Sequence, residues 1–565
     1  MSELLLHPGT VLLAAALLLP LAPALFRAVL LVGAPAVALG LVWLLPDTFT
    51  TAPSFLGMVL EPIRADALSR LFGTVFALMG VVGGVYALRQ TNRTELSAAY
   101  AYMGFAFGVI FAGDLVTVLI FWELMALGSA TVIFAAGTEA SRRAGLRYLA
   151  VHLLGGVLLM AGVAGEIATT GQVTFESMLP DTVPRALILA GFLINTGAPP
   201  FSSWVPDSYP EASTTGMVFL SAFTTKTAVY VLARGFPGAE VLIVLGLIMI
   251  FYGIFYGLAE SQTRRMLGYS IVNQVGFMLV GIGIGTELAV NGAVAHAFAH
   301  IIYKALLIMA VGSVLNATGR QTFSELGGIG RHMPFTALCC IIGGLAISAF
   351  PLTSGFVAKA LLSEAAYREG LDWLWLLLAV GTAGVFLDVG IKLQYFVFFG
   401  PDRGLRPNEA PLHERIAMGA FALLCLGIGL LPGALYGLLP AAPDYSPYTI
   451  DHVLMQFELL FFAGLAFFVW LKVAGWPLGR TLTLDIDWLW RKPLREGPER
   501  SVASLSAVRE RATDRLVLLG DRINAWAQRV DGPIRAIAGS HPTGRMVFFA
   551  VAILAALLLQ ELAFG

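Results

Sequence analysis

Seven ionisable side chains stand inside long apolar stretches of this sequence. They are Glu123 in Phe121-Trp122-Glu123-Leu124-Met125, Lys226 in Thr224-Thr225-Lys226-Thr227, His296, His300 and Lys304 in one further stretch, and Lys359 and Lys392 beyond it. Asp388 lies one helical turn before Lys392. A charged group in hydrocarbon costs about 2.5 to 3.5 kcal/mol even on the lenient insertion scale, so each of these positions asks for a reason. His296, His300 and Lys304 are spaced by four, which puts them on one helix face within about 12 Å of rise. Imidazole and amine groups in such a stripe can pass protons, since desolvation disfavours the ammonium form and makes a proton easier to release. A carboxylate beside a lysine has the opposite effect. Glu123 and Lys226, if neighbours, would therefore form a charge-controlled pair, a static salt bridge being the plainer alternative.

The elements that carry these groups follow from composition. Of 565 residues, 58% are apolar and only 13% charged, and 35 basic residues face 36 acidic ones. Soluble enzymes carry about a quarter charged residues, so an ordinary soluble enzyme is excluded. With a net charge of -1 there is no basic surface for nucleic acid. Apolar runs of about 20 residues cross a ~30 Å hydrocarbon core as helices, and the sequence divides into about 16 of them. The first, near 4–26, reads as a retained helix rather than a cleaved signal. Cys339, Cys340 and Cys425 fall in apolar runs without metal-ligand spacing, and the two histidines of the stripe have only a lysine beside them, so neither a metal nor a cofactor is expected.

Arginines mark alternate connections: Arg27, Arg89 and Arg93, Arg142, Arg143 and Arg147, Arg264 and Arg265, Arg320 and Arg331, Arg403 and Arg406. These are expected on the cytoplasmic side of a bacterial inner membrane, with both termini outside. Asp47, Glu61, Asp181, Asp207, Glu287, Asp444 and Asp451 are assigned to the opposite face. Glu166, Lys472 and Asp114, close to helix ends, are expected at the interface.

Two spans are broken by proline, the seventh at Ala198-Pro199-Pro200-Phe201-Ser202-Ser203 and the twelfth at Ala349-Phe350-Pro351-Leu352-Thr353-Ser354-Gly355. They lie five spans apart, and an odd separation inverts topology, so the reading is two inverted five-helix repeats with a transport path between or within them. The resulting division is 1–96 for N-terminal helices, 97–235 and 236–400 for the repeats, 401–474 for C-terminal core helices, 475–543 for a lateral amphipathic segment and 544–565 for a last span. In the lateral segment Leu505, Val508, Ala512, Leu516, Leu519, Ile523, Trp526 and Val530 recur at helical spacing among charges. Such a helix would lie along the membrane face or against partner subunits.

The motifs around these residues resemble the antiporter-like family shared by Mrp-type sodium/proton antiporters, respiratory complex I and membrane-bound hydrogenases. The resemblance covers roughly residues 60–435 and rests on the Glu123 and Lys226 segments, Trp204-Val205-Pro206-Asp207-Ser208-Tyr209, the stretch from His296 to Leu307, and Pro351 to Lys359. The Trp204 segment and Lys226 are most similar to the D-type branch of the Mrp antiporter subunits. The resemblance implies an all-α polytopic fold of about fourteen core helices with a polar axis in mid-membrane. It matches Glu123 to the fifth-helix glutamate, Lys226 to the eighth-helix lysine, the His296 stripe to the central groups, Lys359 to the twelfth-helix lysine and, more weakly, Lys392 to a thirteenth-helix basic group. The pattern has a lysine in the seventh helix where this chain has Asn195, which can hydrogen-bond water but carries no charge. The implied function is proton movement along this axis coupled to sodium or another monovalent ion, with other membrane subunits as partners. A proton channel in a redox-driven complex and a membrane subunit that energises a soluble partner, such as an inorganic-carbon uptake system, are the alternatives. No phosphate loop, dinucleotide fingerprint or metal cluster suggests bond-making chemistry.

Overall fold

A computed structural model of the chain describes residues 6–46, 49–51, 54–55, 58–475 and 485. The lateral amphipathic segment and the last span expected after residue 475 lie outside the described residues, apart from Asp485. The described helices are α1 (Pro8–Leu18), α2 (Ala24–Leu44), α3 (Ala67–Tyr86), α4 (Arg93–Phe111), α5 (Leu115–Phe134), α6 (Glu139–Thr170), α7 (Val183–Thr196), α8 (Trp204–Ser208), α9 (Thr214–Leu220) and α10 (Thr224–Gly235). Then come α11 (Val241–Ala259), α12 (Thr263–Ile284), α13 (Glu287–Thr318), α14 (Pro334–Ile347), α15 (Ser354–Arg368), α16 (Asp372–Val385), α17 (Leu412–Leu430), α18 (Pro432–Tyr436) and α19 (Ile450–Val473). Twelve of these helical stretches are long and apolar enough to cross a membrane, and the chain is an integral multi-pass membrane protein. One short antiparallel ladder, Ser54–Phe55 with Met58–Val59, accompanies them.

Proline and hydroxyl caps decide most boundaries. α1 stops at Leu18, short of the expected end near residue 26, because Pro20 and Pro23 remove donors and Pro23 becomes the cap of α2. α6 starts earlier than expected, at Glu139, because Thr138 and Ser141 exchange side-chain and backbone hydrogen bonds in a capping box. α5 is capped by Asp114, which sits at the helix end and is fully covered by protein. Its carboxylate accepts from Thr117 N at 2.7 Å, Thr117 Oγ1 at 2.6 Å and Glu61 N at 2.8 Å, so the chain entering α3 and the start of α5 share one acceptor. Asp114→Ala loses the cap and strands buried donors, a cost of about 2 kcal/mol or more. The purified protein is expected to lose its fold markedly faster on heating, and an unchanged inactivation half-life would contradict this account of the cap.

Two backbone crossings expose an internal repeat. Leu115 N donates to Val173 O at 2.8 Å and Phe175 N to Gly113 O at 2.8 Å, tying the start of α5 to the extended segment after α6. Thr263 N donates to Gln321 O at 2.9 Å and Phe323 N to Ser261 O at 3.0 Å, tying the start of α12 to the extended segment after α13. Every partner is displaced by 148 residues: 113 to 261, 115 to 263, 173 to 321 and 175 to 323. α5–α6 and α12–α13 are thus built alike, five membrane passes apart, and run in opposite directions.

Both proline breaks are present, between α7 and α8 and between α14 and α15. At the second, Ala349 and Leu352 hold positive φ of 56° and 70°, unusual for residues with side chains and a local strain of order 1–3 kcal/mol each. Gly355 permits the close return of the chain there, since a Cβ would sit 1.8 Å from Ala346 O. Two irregularities carry no proline signal. The eighth span, expected to be continuous, opens over residues 221–223 between α9 and α10, where Ser221 Oγ turns back to Val218 O at 2.8 Å. The thirteenth continues from α16 as π-helical turns over Phe386–Lys392 and Tyr395–Phe399, a form frequent at functional sites. Asp207 is also corrected: its carboxylate accepts from Arg147 Nε at 2.7 Å, placing it on the arginine-rich face rather than the acidic one. α8 ends an odd-numbered pass, and that parity outweighs the charge of one residue.

Candidate functional site

Helix ends, more than counter-ions, hold the buried lysines. Lys226 is fully buried at the start of α10, and its Nζ donates to Ser221 O at 2.7 Å, the carbonyl just past α9, and to Thr225 Oγ1 at 3.0 Å. Lys359, on α15, donates to Ile347 O at 2.9 Å, the last residue of α14, and its ammonium lies 4.5 Å from the Phe277 ring centroid. Lys392, in the π-helical turn, donates to Gly257 O at 2.8 Å, Leu258 O at 3.0 Å and Glu260 O at 2.7 Å, the open end of α11. All three cations thus meet the negative pole of a helix or half-helix. The pole supplies up to ~2 kcal/mol and each charge-assisted hydrogen bond ~1.5–3 kcal/mol, against a desolvation cost of several kcal/mol. The helix pole and the hydrogen bonds therefore offset much of the cost of holding these ammonium groups away from water.

α13 crosses the middle of the site. His296, His300 and Lys304 are all fully buried on it, with imidazole centroids 6.3 Å apart. His296 Nε2 lies 2.9 Å from Tyr303 Oη and 3.1 Å from Gln274 Oε1, while both nitrogens of His300 lack a partner among the described residues. Lys304 Nζ donates to Ser270 Oγ on α12. His300 is within electrostatic reach of Lys226, Lys304 and Lys359, and Lys304 within reach of Asp388. Asp388 in turn is 4.0 Å from Lys392 Nζ. The structure therefore gathers Lys226, His300, His296, Lys359 and Lys304 into one buried cluster and joins it through Asp388 to Lys392.

Glu123 stands apart from that cluster. Its Oε1 is buried without a hydrogen-bond partner among the described residues, against Gly156 of α6, where a Cβ would come within 1.7 Å. Among the described residues no ion pair joins it to Lys226, whose partners are neutral oxygens. Beside Lys226 lies a chain of hydroxyls: Tyr148 Oη donates to Ser129 Oγ at 2.8 Å and lies 3.3 Å from Thr224 Oγ1, which is 2.6 Å from Tyr102 Oη. Asn195, at the end of α7, is fully buried with neither amide atom bonded to a described residue.

One titratable group in this region carries no signal of clustered charge in the sequence. His152 on α6 is 1% exposed, its Nδ1 lies 2.9 Å from Tyr148 O, and its Nε2 has no partner among the described residues. A lone histidine in an apolar run reads as a core residue, and only the 148-residue repeat, which maps 152 onto 300, singles it out.

The site reaches both faces. At the arginine-rich face Lys392 meets Glu260, whose carboxylate is 3.4 Å from Arg265 Nε. At the other, an open cavity of about 1000 Å³ is lined by Glu364, Asp444, Tyr445, Asp451 and His452. The His452 ring stacks on Phe356 of α15 at 4.9 Å, one turn from Lys359.

Residues 112–386 match the family described as NADH:quinone oxidoreductase/Mrp antiporter, TM. The chain is 28% identical over 378 residues to the D-type subunit of the Na(+)/H(+) antiporter of Alkalihalophilus pseudofirmus, an alignment covering 62% of this chain and 76% of that protein. Its fold is similar to that in the structure of the Mrp complex from Dietzia sp. DQ12-45-1b, with a TM-score of 0.71, 22% identity, and 80% of this chain and 99% of that chain covered. It is equally similar to a chain of the membrane-bound sulfane sulfur reductase, an archaeal respiratory membrane complex, with a TM-score of 0.71, 21% identity and coverage of 98% and 99%. The shared membrane region and the shared fold agree: residues 112–386 carry the membrane region described as NADH:quinone oxidoreductase/Mrp antiporter, within a fold similar to that of the Mrp complex chain.

Proposed function

We propose that this chain is the proton-translocating subunit of a multisubunit cation/proton antiporter, with sodium as the exchanged ion. The observation that carries the reading is the buried cluster of Lys226, His296, His300, Lys304 and Lys359, five groups that accept and release protons, linked through Asp388 to Lys392. A lysine held by neutral carbonyls loses no ion pair when it gives up its proton, so a proton arriving at one site lowers the cost of release at the next. Successive transfers run from the acidic cavity at His452 by way of Lys359 and the α13 stripe to Lys392 and Glu260. The arginine-rich face is then cytoplasmic in a bacterial inner membrane and both termini lie outside. The repeat proposed for 236–400 carries this route, and the repeat proposed for 97–235 joins it at Lys226, within reach of His300. Lipid covers faces such as that of α19, where Phe461, Phe462, Phe468 and Trp470 are exposed, and other subunits complete the assembly.

The test uses the native assembly in proteoliposomes under an imposed sodium gradient, with proton flux read by an internal pH-sensitive dye. Sodium-driven proton movement is expected in the wild type and absent from Lys304→Ala at equal assembly. Flux insensitive to sodium but blocked by Lys304→Ala would retain the proton path and overturn the antiport. A second reading, in which a redox partner drives the relay, is favoured by one observation: Asn195 is neutral and Glu123 has no cation beside it among the described residues, so the first repeat lacks the opposed charges a self-contained switch would use. Flux appearing only when a reductant is supplied to the assembly would select it.

A further inference from the structure

The proton path proposed above is dense from Lys226 onward and sparse before it. Beside Lys226 stand hydroxyls, and the end of α7 holds the neutral amide of Asn195; none of these holds a proton charge near neutral pH. We propose that His152 is the proton-carrying group of the first repeat, receiving a proton on Nε2 from the Glu123 side and passing it toward Lys226. This rests on the proton-relay reading and extends it to a residue outside the clustered charges.

The repeat supplies the first argument. The displacement of 148 residues that superimposes the two backbone crossings carries Tyr148 onto His296, His152 onto His300 and Gly156 onto Lys304. His152 therefore occupies, on α6, the place that His300 occupies on α13, and both are buried with an Nε2 that bonds no described residue. Where α13 puts Lys304, α6 puts a glycine, and the vacated volume is filled by the Glu123 carboxylate. In each half an imidazole thus sits one turn from an ionisable group, a lysine in one and a glutamate in the other.

The local geometry supplies the second. Nδ1 faces the Tyr148 carbonyl at 2.9 Å, an oxygen that only accepts, so Nδ1 carries the hydrogen and Nε2 presents a lone pair. The ring is fixed between Tyr148, centroid at 3.8 Å and nearly parallel, and Trp204, centroid at 4.6 Å and nearly perpendicular. Trp204 is itself pinned by donating Nε1 to Ile194 O at 2.9 Å, which sets His152 at the level of the α7 break beside Asn195. Tyr148 Oη then leads to Thr224 Oγ1 at 3.3 Å, adjacent to Thr225, whose Oγ1 bonds Lys226 Nζ. The groups facing this region from the elements packed on α6 are Glu123 from α5, neutral Asn195 from α7, Asp207 of α8 already paired with Arg147, and the Tyr209 hydroxyl beyond it. Among the described residues no fixed cation competes for the proton there.

The experiment uses the same reconstituted assembly and dye, comparing wild type, His152→Gln, His152→Gln with Asn195→Lys, and Lys304→Ala. Glutamine keeps the volume and a hydrogen-bonding amide but cannot take up a proton. His152→Gln is expected to lower proton flux about tenfold or more, the range for loss of one positioned proton carrier, and to flatten its pH profile. Asn195→Lys, which returns an ionisable group at the same level, is expected to restore flux in the His152→Gln background. Wild-type flux in His152→Gln, or a loss that Asn195→Lys leaves uncorrected, would overturn the assignment. Lys304→Ala separates the two ideas: if it still conducts like wild type, the relay reading itself fails, whereas a dead Lys304→Ala beside a fully active His152→Gln condemns the role of His152 alone.

Discussion

Lys226→Met is expected to abolish coupled proton transport, by roughly 100-fold or more, while the protein still assembles. The side chain is fully buried, so methionine fills most of its volume without exposing new surface, and the lost ammonium leaves Ser221 O and Thr225 Oγ1 free to turn to each other or to water. What disappears is the first repeat's ionisable group within reach of the α13 stripe, through His300. Lys226→Arg discriminates between a proton carrier and a fixed charge. A guanidinium stays protonated at any working pH but can still donate to Ser221 O. If Lys226 only held the α9–α10 break together, arginine would keep much of the flux. If it must release its proton, arginine fails along with methionine. The measurement is dye-detected proton flux at matched protein content, and an active Lys226→Arg would remove Lys226 from the relay.

The polar axis was legible in the chain because an ionisable residue in an apolar run has few structural uses, and the residues found that way, from Lys226 to Lys392, lie together in the fold. Breaks at Pro199-Pro200 and Pro351 were legible for an equally direct reason, since proline deletes a donor. The opening at residues 221–223 was not. It is stabilised by a lysine reaching back five residues to the Ser221 carbonyl, a contact with no local signature. The π-helical turns that carry Asp388 and Lys392 likewise have no proline to announce them. Spacing also misjudged Glu123 and Lys226. Glu123 sits against Gly156 of α6, whereas Lys226 is held by oxygens at its own helix break. His152 was hidden by its solitude, and a comparison of the two halves of the sequence at a 148-residue offset would have found it.

Gly156→Ala is expected to cost transport nearly as much as neutralising Glu123 itself, although alanine is the best helix former and Gly156 lies within α6. On propensity alone the substitution would stabilise the helix by about 0.5–1 kcal/mol. Space decides otherwise, since the new Cβ would fall 1.7 Å from Glu123 Oε1 and 2.6 Å from its carboxyl carbon. Glu123 is only partly buried, so the carboxylate can swing away rather than unfold the helix pair, and the expected outcome is intact assembly with proton flux reduced about tenfold or more. A double-mutant cycle isolates the contact. In a Glu123→Ala background the methyl introduced at position 156 meets no carboxylate, and Gly156→Ala should then change neither flux nor thermal inactivation further. Because the glycine has no chemistry of its own, a loss confined to chains that retain Glu123 ties function to the position of that carboxylate against α6, one turn from His152. A Gly156→Ala protein that transports at the wild-type rate would mean that Glu123 needs no fixed seat, and would move the start of the path elsewhere.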